Sequence, residues 1–328
     1  DTTVDGGEGD NTIVVSQSHG TSASNTFAEF ANFQTYEVEG TSNTAHNFTS
    51  MPGVEDVVVA TGDTAPTPGG NTQLINMEAD QSVTVTLENT ARLANSTNGV
   101  RQDGVLTVDN LTVNGSSSAV RDLTVASTGE RSSANAIANL TAAAVNSIDF
   151  VGSQDLSVNV QNLATAPGSN QSALNIDGSA LTGDLNLGLD GALLNQITGN
   201  GTDTISGTDG ENDTLMLHGA MAANNALNAT GFEALQLGSQ VGTMFGDLEV
   251  GEVASGTFNA SSVAVPEFNI ANAGALELIN LGNGAVVNLG DSNRDAAGDV
   301  VNGQSLTSLI ELDAADDAGA GTSPAASI

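Results

Sequence analysis

Two stretches of the chain combine Gly, Asp and Asn at short intervals just before an apolar segment. They read "VDGGEGDNTIVV" at residues 4–15 and "GNGTDTISGTDGENDTLMLHG" at residues 199–219. Glycine allows the backbone to turn tightly and to aim carbonyl oxygens inward, and Asp adds carboxylate oxygens. Calcium takes about six to eight oxygen ligands of these two kinds. The spacing therefore predicts calcium-binding turns.

The central stretch contains two consecutive units of this kind. Calcium-binding nonapeptides have Gly at the first, second and fourth positions, Asp at the sixth and an apolar residue at the eighth. The first unit lacks only its opening Gly, and its matching residues are Gly199, Gly201, Asp203 and Ile205. The second unit has one residue too many before its Asp, and its matching residues are Gly207, Gly210, Asp213 and Leu215. Asp209 is a further candidate ligand in the second unit.

The N-terminal stretch is a less complete copy of the same pattern. Its glycines and its apolar residue are in place, but Asn11 stands at the Asp position and Asp10 comes one residue early. Asp5, just before the glycines, is another candidate oxygen donor. We therefore expect a few calcium ions at isolated turns rather than a continuous row of them.

Two other acidic groups are weaker candidates for metal binding. Asp184 and Asp190 flank the segment "LNLG", and surface hydration explains them equally well. In "DSNRDAAGD" the residues spaced as in an EF-hand loop are Asp291, Asn293 and Asp295. That segment has Ala where such a loop needs Gly, so an irregular calcium turn and a hydrated loop both stay open.

The turns need a scaffold, and the chain is rich in short segments of strand character. Apolar and polar residues alternate in "VTVTLEN", "DLSVNVQNL" and "ALELINLG", and Asn, Asp, Gly and Ser separate these segments. Several of them place Glu just before the alternation. The pattern predicts an all-β protein, a parallel β-solenoid or β-helix with calcium-binding turns. A Greek-key sandwich stays an alternative for part of the middle.

The same pattern divides the chain into three segments. Residues 1–62 form an N-terminal β unit with the first glycine turn, residues 63–195 a repetitive solenoid middle, and residues 196–328 the second glycine turn with a C-terminal solenoid. The Ala-rich residues 132–148, "SSANAIANLTAAAVNSI", suit one short helix. The chain begins at Asp1 without a signal-like segment, which suggests a processed or cut product.

Charge and composition restrict the possible partners. The chain has 39 acidic residues against five basic ones, a net charge of -34, and no Cys. So much negative charge repels a phosphate backbone, so we expect no nucleic-acid partner. The lack of Cys excludes disulfides and a thiolate nucleophile. No stretch reaches the roughly 18 apolar residues of a membrane-spanning helix, so we expect no membrane insertion.

Residues 173–238 resemble the repeats of RTX-type bacterial surface-layer (S-layer) proteins. The stretch runs from "ALNIDGSALTGDLNLGLDG" through the two glycine units to "GFEALQLGS". The resemblance implies a secreted, calcium-dependent β-solenoid at the cell surface, where copies of the chain assemble into a two-dimensional lattice. It also implies a cell-surface polysaccharide as a possible anchor.

Two other functional classes stay open. A segment of a giant repetitive adhesin, or an extracellular filament subunit stiffened by calcium, is the main alternative. A β-helix polysaccharide lyase or epimerase is a weaker one, since such sites gather Lys, Arg, His or Tyr, and this chain has no Lys and one Tyr. The three histidines, His19, His46 and His218, lie far apart in sequence, and we expect them at the surface. We therefore expect a structural protein and not an enzyme.

Overall fold

A computed structural model describes about half of the chain, in short ranges. The described residues are 3–15, 29–39, 45–48, 51, 53–60, 71–75, 77, 82–88, 105–108, 122–129, 135–142, 145, 147–163, 175–191, 204–210, 212–221, 228–239, 244–245, 248–249, 253–260, 267–271, 273–281, 285–289 and 310–314. Within these ranges the regular structure consists of β-strands, and none of the residues belongs to a helix with the length and hydropathy of a membrane span.

The strands are short and evenly distributed along the chain. In chain order they are β1 Thr3–Asp5, β2 Thr12–Val15, β3 Glu29–Ala31, β4 Thr35–Glu39, β5 Ala45–Asn47, β6 Asp56–Ala60, β7 Asn71–Ile75, β8 Ser82–Glu88, β9 Val105–Val108, β10 Asp122–Thr128, β11 Asn135–Ala142, β12 Ser147–Gly152, β13 Leu156–Leu163, β14 Asn175–Leu181, β15 Leu185–Asp190, β16 Thr204–Ser206, β17 Thr214–Met221, β18 Asn228–Thr230, β19 Ala234–Leu237, β20 Met244–Phe245, β21 Leu248–Glu249, β22 Ala254–Asn259, β23 Glu267–Ile270, β24 Ala273–Leu281, β25 Val286–Leu289 and β26 Ile310–Ala314.

Successive strands alternate between two long parallel sheets. Among the described residues, the even-numbered strands β2 to β18 form a nine-stranded sheet in chain order. The odd-numbered strands from β5 to β19, followed by β23 and β25, form the main ladder of the other long sheet. From β17 onward, β22, β24 and β26 branch off as the second face of the C-terminal coils. Each coil thus contributes one strand to each face, and the predicted parallel β-solenoid is confirmed.

Columns of aliphatic side chains fill the space between the two sheets. In the nine-stranded sheet Leu123, Ile148, Ile176 and Ile205 stand in register, and all four are buried. In the opposite sheet a matching column contains Val158, Leu187, Leu215, Leu235, Phe268 and Val287. Small apolar residues suit this architecture because each layer must stack directly on the next.

The segment expected to be helical forms strands instead. Residues 135–142 are β11, which pairs in parallel with β13 and β9. The Asn135 amide donates to Ser127 Oγ and Thr128 O at 2.9 and 2.8 Å, which fixes the start of β11 against the end of the preceding strand, β10. Pairing on both sides outweighs the helix propensity of alanine. The sandwich alternative is also wrong for the described middle of the chain, where the strand pairs are parallel.

Two of the three histidines are buried, contrary to expectation. The His46 ring lies inside the first coils, where its Nδ1 is 2.7 Å from the Tyr36 hydroxyl oxygen. Burial raises the pKa of that Tyr36 hydroxyl. The His218 ring is buried on the outer face of β17, with its Nε2 2.8 Å from Asn159 Oδ1. His19 lies outside the described residues.

Candidate metal-binding turns

The central glycine turn, whose described residues are 207–210 and 212–213, lies between β16 on one face of the solenoid and β17 on the other. Asp213, at its end, is fully buried. Its Oδ1 accepts a hydrogen bond from Leu185 N at 2.7 Å, and its Oδ2 accepts one from Thr208 N at 2.5 Å. The carboxylate therefore joins the turn to the neighbouring coil through two backbone N–H groups.

The register of β17 explains the burial of Asp213. Asn186 pairs with Thr214 and Leu187 with Leu215, so Asp213 stands one step earlier, beside Leu185. Leu185 is fully buried at a position that faces the interior, and the Asp213 side chain takes the same direction. A buried carboxylate needs hydrogen-bond donors, and the two N–H groups supply them.

A second pair of carboxylates lies beside this turn at the entries of β13 and β15. Asp155 precedes β13 and Asp184 precedes β15, and Asp184 N donates to Asp155 Oδ1 at 2.9 Å. Asn212 Nδ2 donates to Asp184 Oδ2 at 3.4 Å. Partial burial, followed by repulsion from Asp155 and Asp213, raises the pKa of Asp184 above its usual range. The site therefore holds excess negative charge.

In a neighbouring coil, a carboxylate at a strand entry again accepts a hydrogen bond from a backbone N–H group. Glu233 immediately precedes β19, and its Oε2 accepts a hydrogen bond from Asp213 N at 2.8 Å. In return, Glu233 N donates to Asp213 O at 3.0 Å. The sequence contains a signal for this contact, because Glu recurs just before alternating apolar residues, but it does not identify the partner coil.

The N-terminal turn, residues 6–11, has a similar backbone arrangement, but its central side chain is Asn11 instead of an Asp. Asn11 Nδ2 donates to Gly7 O at 3.3 Å, Gly9 O at 3.0 Å and Asn32 O at 2.9 Å. The amide thus occupies the space between three carbonyl oxygens. Asp5 Oδ1 accepts from Asn32 Nδ2 at 2.7 Å and Gly7 N at 2.9 Å, and these bonds lower the pKa of Asp5.

Both turns begin with a glycine that contacts the next coil directly. A Cβ on Gly207 would lie 2.0 Å from Gly231 O, and a Cβ on Gly6 would lie 2.6 Å from Asn32 O. These distances leave no room for a side chain. The two glycines therefore set the closest approach between successive turns.

Another acidic pair lies on the outer face of the nine-stranded sheet. Asp149 and Asp177 stand side by side in register on β12 and β14. Ser179 N and Ser206 Oγ donate to Asp177 Oδ1, and the backbone bond from Ser179 is the main cause of its lowered pKa. Partial burial, with repulsion from Asp177 and then Asp122, raises the pKa of Asp149. Sequence reasoning missed this pair because it depends on the register between coils.

The remaining predicted ligands are scattered or lie outside the described residues. Asp209 is exposed in the central turn, Asp10 is exposed in the N-terminal turn, and Asp190 ends β15. The candidates outside the described residues are Gly199, Gly201, Asp203, Asp291, Asn293 and Asp295. Their ligand roles stay predictions.

The two turns differ in how well their residues suit calcium. Within the part of the chain that the structure describes, no three Asp, Glu or His side chains gather closely enough to hold a metal ion. At the N-terminal turn the Asn11 amide donors already face the carbonyl oxygens, so the donor set does not fit a cation. At the central turn Asp155 and Asp184 present adjacent carboxylates, and none of the described residues is Lys or Arg. That donor set fits a hard cation.

Comparison with known proteins finds no matching family model, no matching curated protein and no matching solved structure.

Proposed function

We propose that this protein is a secreted structural subunit of a bacterial surface layer, in which copies of the chain assemble into a lattice. The observation that carries the proposal is the unbalanced carboxylate pair, Asp155 and Asp184, at the edge of a long parallel solenoid. A regular solenoid gives a stiff body with the same surface repeated from coil to coil. The repulsion between Asp155 and Asp184 makes the stability of that body dependent on cations.

Calcium is the cation that we propose for this edge. Asp155 and Asp184 would hold it at the entries of β13 and β15. Calcium would supply charge neutralisation there, because its two positive charges offset the repulsion that raises the pKa of Asp184. A ligand that binds only the folded state stabilises it by about 2.7 kcal/mol at a hundredfold excess over Kd.

The proposed role is structural rather than catalytic. The described histidines are enclosed: His46 contacts Tyr36 in the core, and His218 on β17 contacts Asn159 on β13. Neither ring is exposed to a substrate, and general acid–base catalysis needs a group within reach of the reacting proton. We propose a cell-surface polysaccharide as the anchor of the layer.

Sedimentation and electron microscopy of the purified chain test the proposal. We expect monomers in excess EGTA and large regular assemblies in millimolar calcium, with no assembly in equimolar magnesium. The double variant Asp155→Asn/Asp184→Asn should no longer respond to calcium. The control Asp56→Asn/Asp122→Asn removes the same charge from exposed strand positions and should respond like the wild type. A wild-type chain that stays monomeric in calcium would contradict the proposal.

A further inference from the structure

The chain contains several Asp–Gly dipeptides, whose backbone can rearrange without an enzyme. They occur at residues 5–6, 103–104, 177–178, 190–191 and 209–210. In this dipeptide the glycine nitrogen can attack the side-chain carbonyl carbon of the Asp, and the succinimide ring that forms opens with water. Glycine favours the reaction because it has no Cβ to hinder the approach and because its backbone rotates freely. The surrounding structure therefore decides which pairs react.

The pair at 5–6 is held by hydrogen bonds on both reacting groups. Asp5 Oδ1 accepts from Asn32 Nδ2 at 2.7 Å and from Gly7 N at 2.9 Å. Gly6 N donates to Ala31 O of the next coil at 3.0 Å. Ring closure also requires the protonated carboxyl group, because its oxygen leaves as water. The bonds from Asn32 and Gly7 lower the pKa of Asp5 and so disfavour that form.

The pair at 177–178 is held in a similar way inside β14. Asp177 Oδ1 accepts from Ser179 N at 2.9 Å and from Ser206 Oγ at 2.8 Å. These bonds lower the pKa of Asp177, with the backbone bond from Ser179 as the main cause. Gly178 packs closely against the next elements, since a Cβ on it would lie 2.8 Å from Leu185 Cδ2.

The pair at 190–191 is enclosed by β17. A Cβ on Gly191 would lie 2.9 Å from both His218 O and Ala220 O. Asp190 is half-buried, and its Oδ1 would lie 2.5 Å from a Cβ on Gly219. Bringing the Gly191 nitrogen onto the Asp190 carboxyl carbon requires backbone rotation, and these contacts with β17 oppose it. The pair at 103–104 lies outside the described residues.

The pair at 209–210 differs from these three because both of its residues are exposed and outside every strand. Among the described residues no hydrogen bond reaches the Asp209 carboxylate. Gly210 N donates to Thr208 Oγ1 at 2.8 Å, which is a contact within the same turn. The atoms nearest to a Cβ on Gly210 would be side-chain oxygens of Thr208, Asp184 and Asp213, so no backbone packs against this glycine.

We infer that Asp209 and Gly210 form a self-modification site at which the folded chain converts aspartate to isoaspartate. The Gly210 nitrogen forms a bond to Asp209 Cγ and loses its proton, while the carboxyl hydroxyl leaves as water. Water then adds to the main-chain carbonyl carbon of Asp209 and breaks its bond to the nitrogen. The chain now runs through Cβ and Cγ of residue 209, and no atom is gained or lost overall. Water is the only co-reactant.

The modification changes the central turn itself. Isoaspartate lengthens the backbone between Asp209 and Gly210 by one methylene group and moves the free carboxylate to Cα. The hydrogen bond from Thr208 N to Asp213 Oδ2 spans this part of the turn. We therefore expect modified chains to unfold at lower urea concentration than unmodified ones. This inference depends neither on calcium binding nor on self-assembly.

Incubation of the purified chain in water enriched in oxygen-18 tests the inference. Each opening of a succinimide ring leaves one heavy oxygen at the pair that reacted, and peptide mass spectrometry locates it. In EGTA near neutral pH, we expect at least about tenfold more label at 209–210 than at 5–6, 177–178 or 190–191, because these three react only after local opening. In urea, where the structure is lost, the four pairs should label at similar rates.

Two variants identify the reacting atoms. Gly210→Ala should reduce the label at this position by at least about tenfold, because a Cβ hinders the nitrogen and restricts rotation. The nearest atom to that Cβ is the end of a side chain, Thr208 Oγ1, so the variant should fold. The control Asp209→Asn forms the same ring by releasing ammonia and should gain isoaspartate faster than the wild type.

Three results would overturn the inference. The first is a folded wild type without label at 209–210, and the second is equal labelling of this pair and the pairs at 5–6 and 177–178. The third is wild-type labelling of Gly210→Ala, since the glycine nitrogen would then not be the attacking group. Label confined to 209–210 in the folded chain, and lost in Gly210→Ala, would support it whether or not the chain binds calcium or assembles.

Discussion

The N-terminal and central glycine turns have the same backbone arrangement. In each, a short strand leads through a glycine that touches the next coil to a polar residue at the entry of the following strand. That entry residue is Asn11 in one turn and Asp213 in the other. Its N–H group donates to a long polar side chain of the next coil, Gln34 Oε1 at 2.9 Å or Glu233 Oε2 at 2.8 Å. The two turns are therefore copies with different central groups.

The two turns differ in the charge of their central groups. The Asn11 amide donates to three carbonyl oxygens and leaves its turn neutral at the centre. The Asp213 carboxylate instead accepts from two backbone N–H groups and adds negative charge beside Asp184. In the first turn the Asn11 amide occupies the space between the carbonyl oxygens, whereas the second turn has a negative charge that a cation can offset. The same backbone arrangement thus carries a neutral central group in one turn and a charged one in the other, and the proposed cation sensitivity of the central turn rests on that difference.

The largest effect should come from Asp213→Ala. The substitution leaves the N–H groups of Leu185 and Thr208 buried without an acceptor, at about 1–3 kcal/mol each. We expect the free energy of unfolding to fall by about 2–5 kcal/mol in urea titrations of the monomer in EGTA. The control Asp209→Ala removes the same charge from an exposed position and should change it by less than about 0.5 kcal/mol. Equal losses in both variants would mean that the hydrogen bonds of Asp213 do not hold the turn.

The shared backbone arrangement predicts that Gly207 and Gly6, which contact the next coil, are both needed for stability. Gly207→Ala places a methyl group against Gly231 O, and we expect a loss of about 1–3 kcal/mol in the same titrations. Gly6→Ala should destabilise less, because its turn is more exposed and its nearest atom is farther away. If Gly207→Ala proved as stable as the wild type, the two coils would not be in contact at this position.

Asn11→Asp should convert the closed turn into a cation-sensitive one. The variant loses three amide donor contacts and gains a carboxylate near Asp5, so we expect a loss of about 1–2 kcal/mol in EGTA. Millimolar calcium should restore that loss, measured as the shift in urea midpoint between the two buffers. Asn11→Ala loses the same donors without gaining a carboxylate and should not recover. Equal behaviour of the two variants in calcium would show that the entry residue does not control cation binding.

The pH dependence of the two turns should have opposite signs. The folded-state pKa of Asp184 is raised, so its charge disfavours the folded state above the ordinary value of 3.8, and Asp184→Asn should be more stable than the wild type near neutral pH. The folded-state pKa of Asp5 is lowered, so its charge contributes stability that is lost as the pH falls below 3.8. Asp5→Asn should therefore be less stable near neutral pH.

Urea midpoints in EGTA near neutral pH and about one unit below the ordinary Asp value check both signs. Both differences from the wild type should shrink at the acidic pH, because Asp184 and Asp5 approach protonation in the folded and the unfolded state alike. A gain for Asp184→Asn that stayed the same at both pH values would point to packing rather than charge. A destabilised Asp184→Asn near neutral pH would contradict the excess negative charge.

The fold class could be predicted because every coil of a solenoid repeats the same local pattern of short strands and turns. Short alternating segments, few aromatic residues and Asn/Asp/Gly turns all indicated stacked coils, and the two glycine turns were recognised as copies. The helix expected at 132–148 was wrong because alanine also fits the interior of a parallel sheet. Ala136 and Ala142 are buried on β11, and contacts with neighbouring strands decided their conformation.

The arrangement of the turns could not be predicted because it depends on register between coils of unequal length. The extra residue before Asp213 was visible in the sequence, but its effect was not. It brings Asp213 beside Leu185 rather than beside Asp184, and so turns the side chain inward. Likewise, the pairing of Asp155 with Asp184 joins residues 29 positions apart, a separation that no local pattern specifies.

Counting the calcium ions bound per chain tests the central claim most directly. The measurement compares the wild type, Asp155→Asn/Asp184→Asn and Asn11→Asp after dialysis against millimolar calcium, with metal and protein both quantified. We expect bound calcium on the wild type, less on the double variant and one additional ion on Asn11→Asp. A wild type that binds no calcium, or binding that neither substitution changes, would contradict the assignment of a cation-sensitive central turn and a closed N-terminal one.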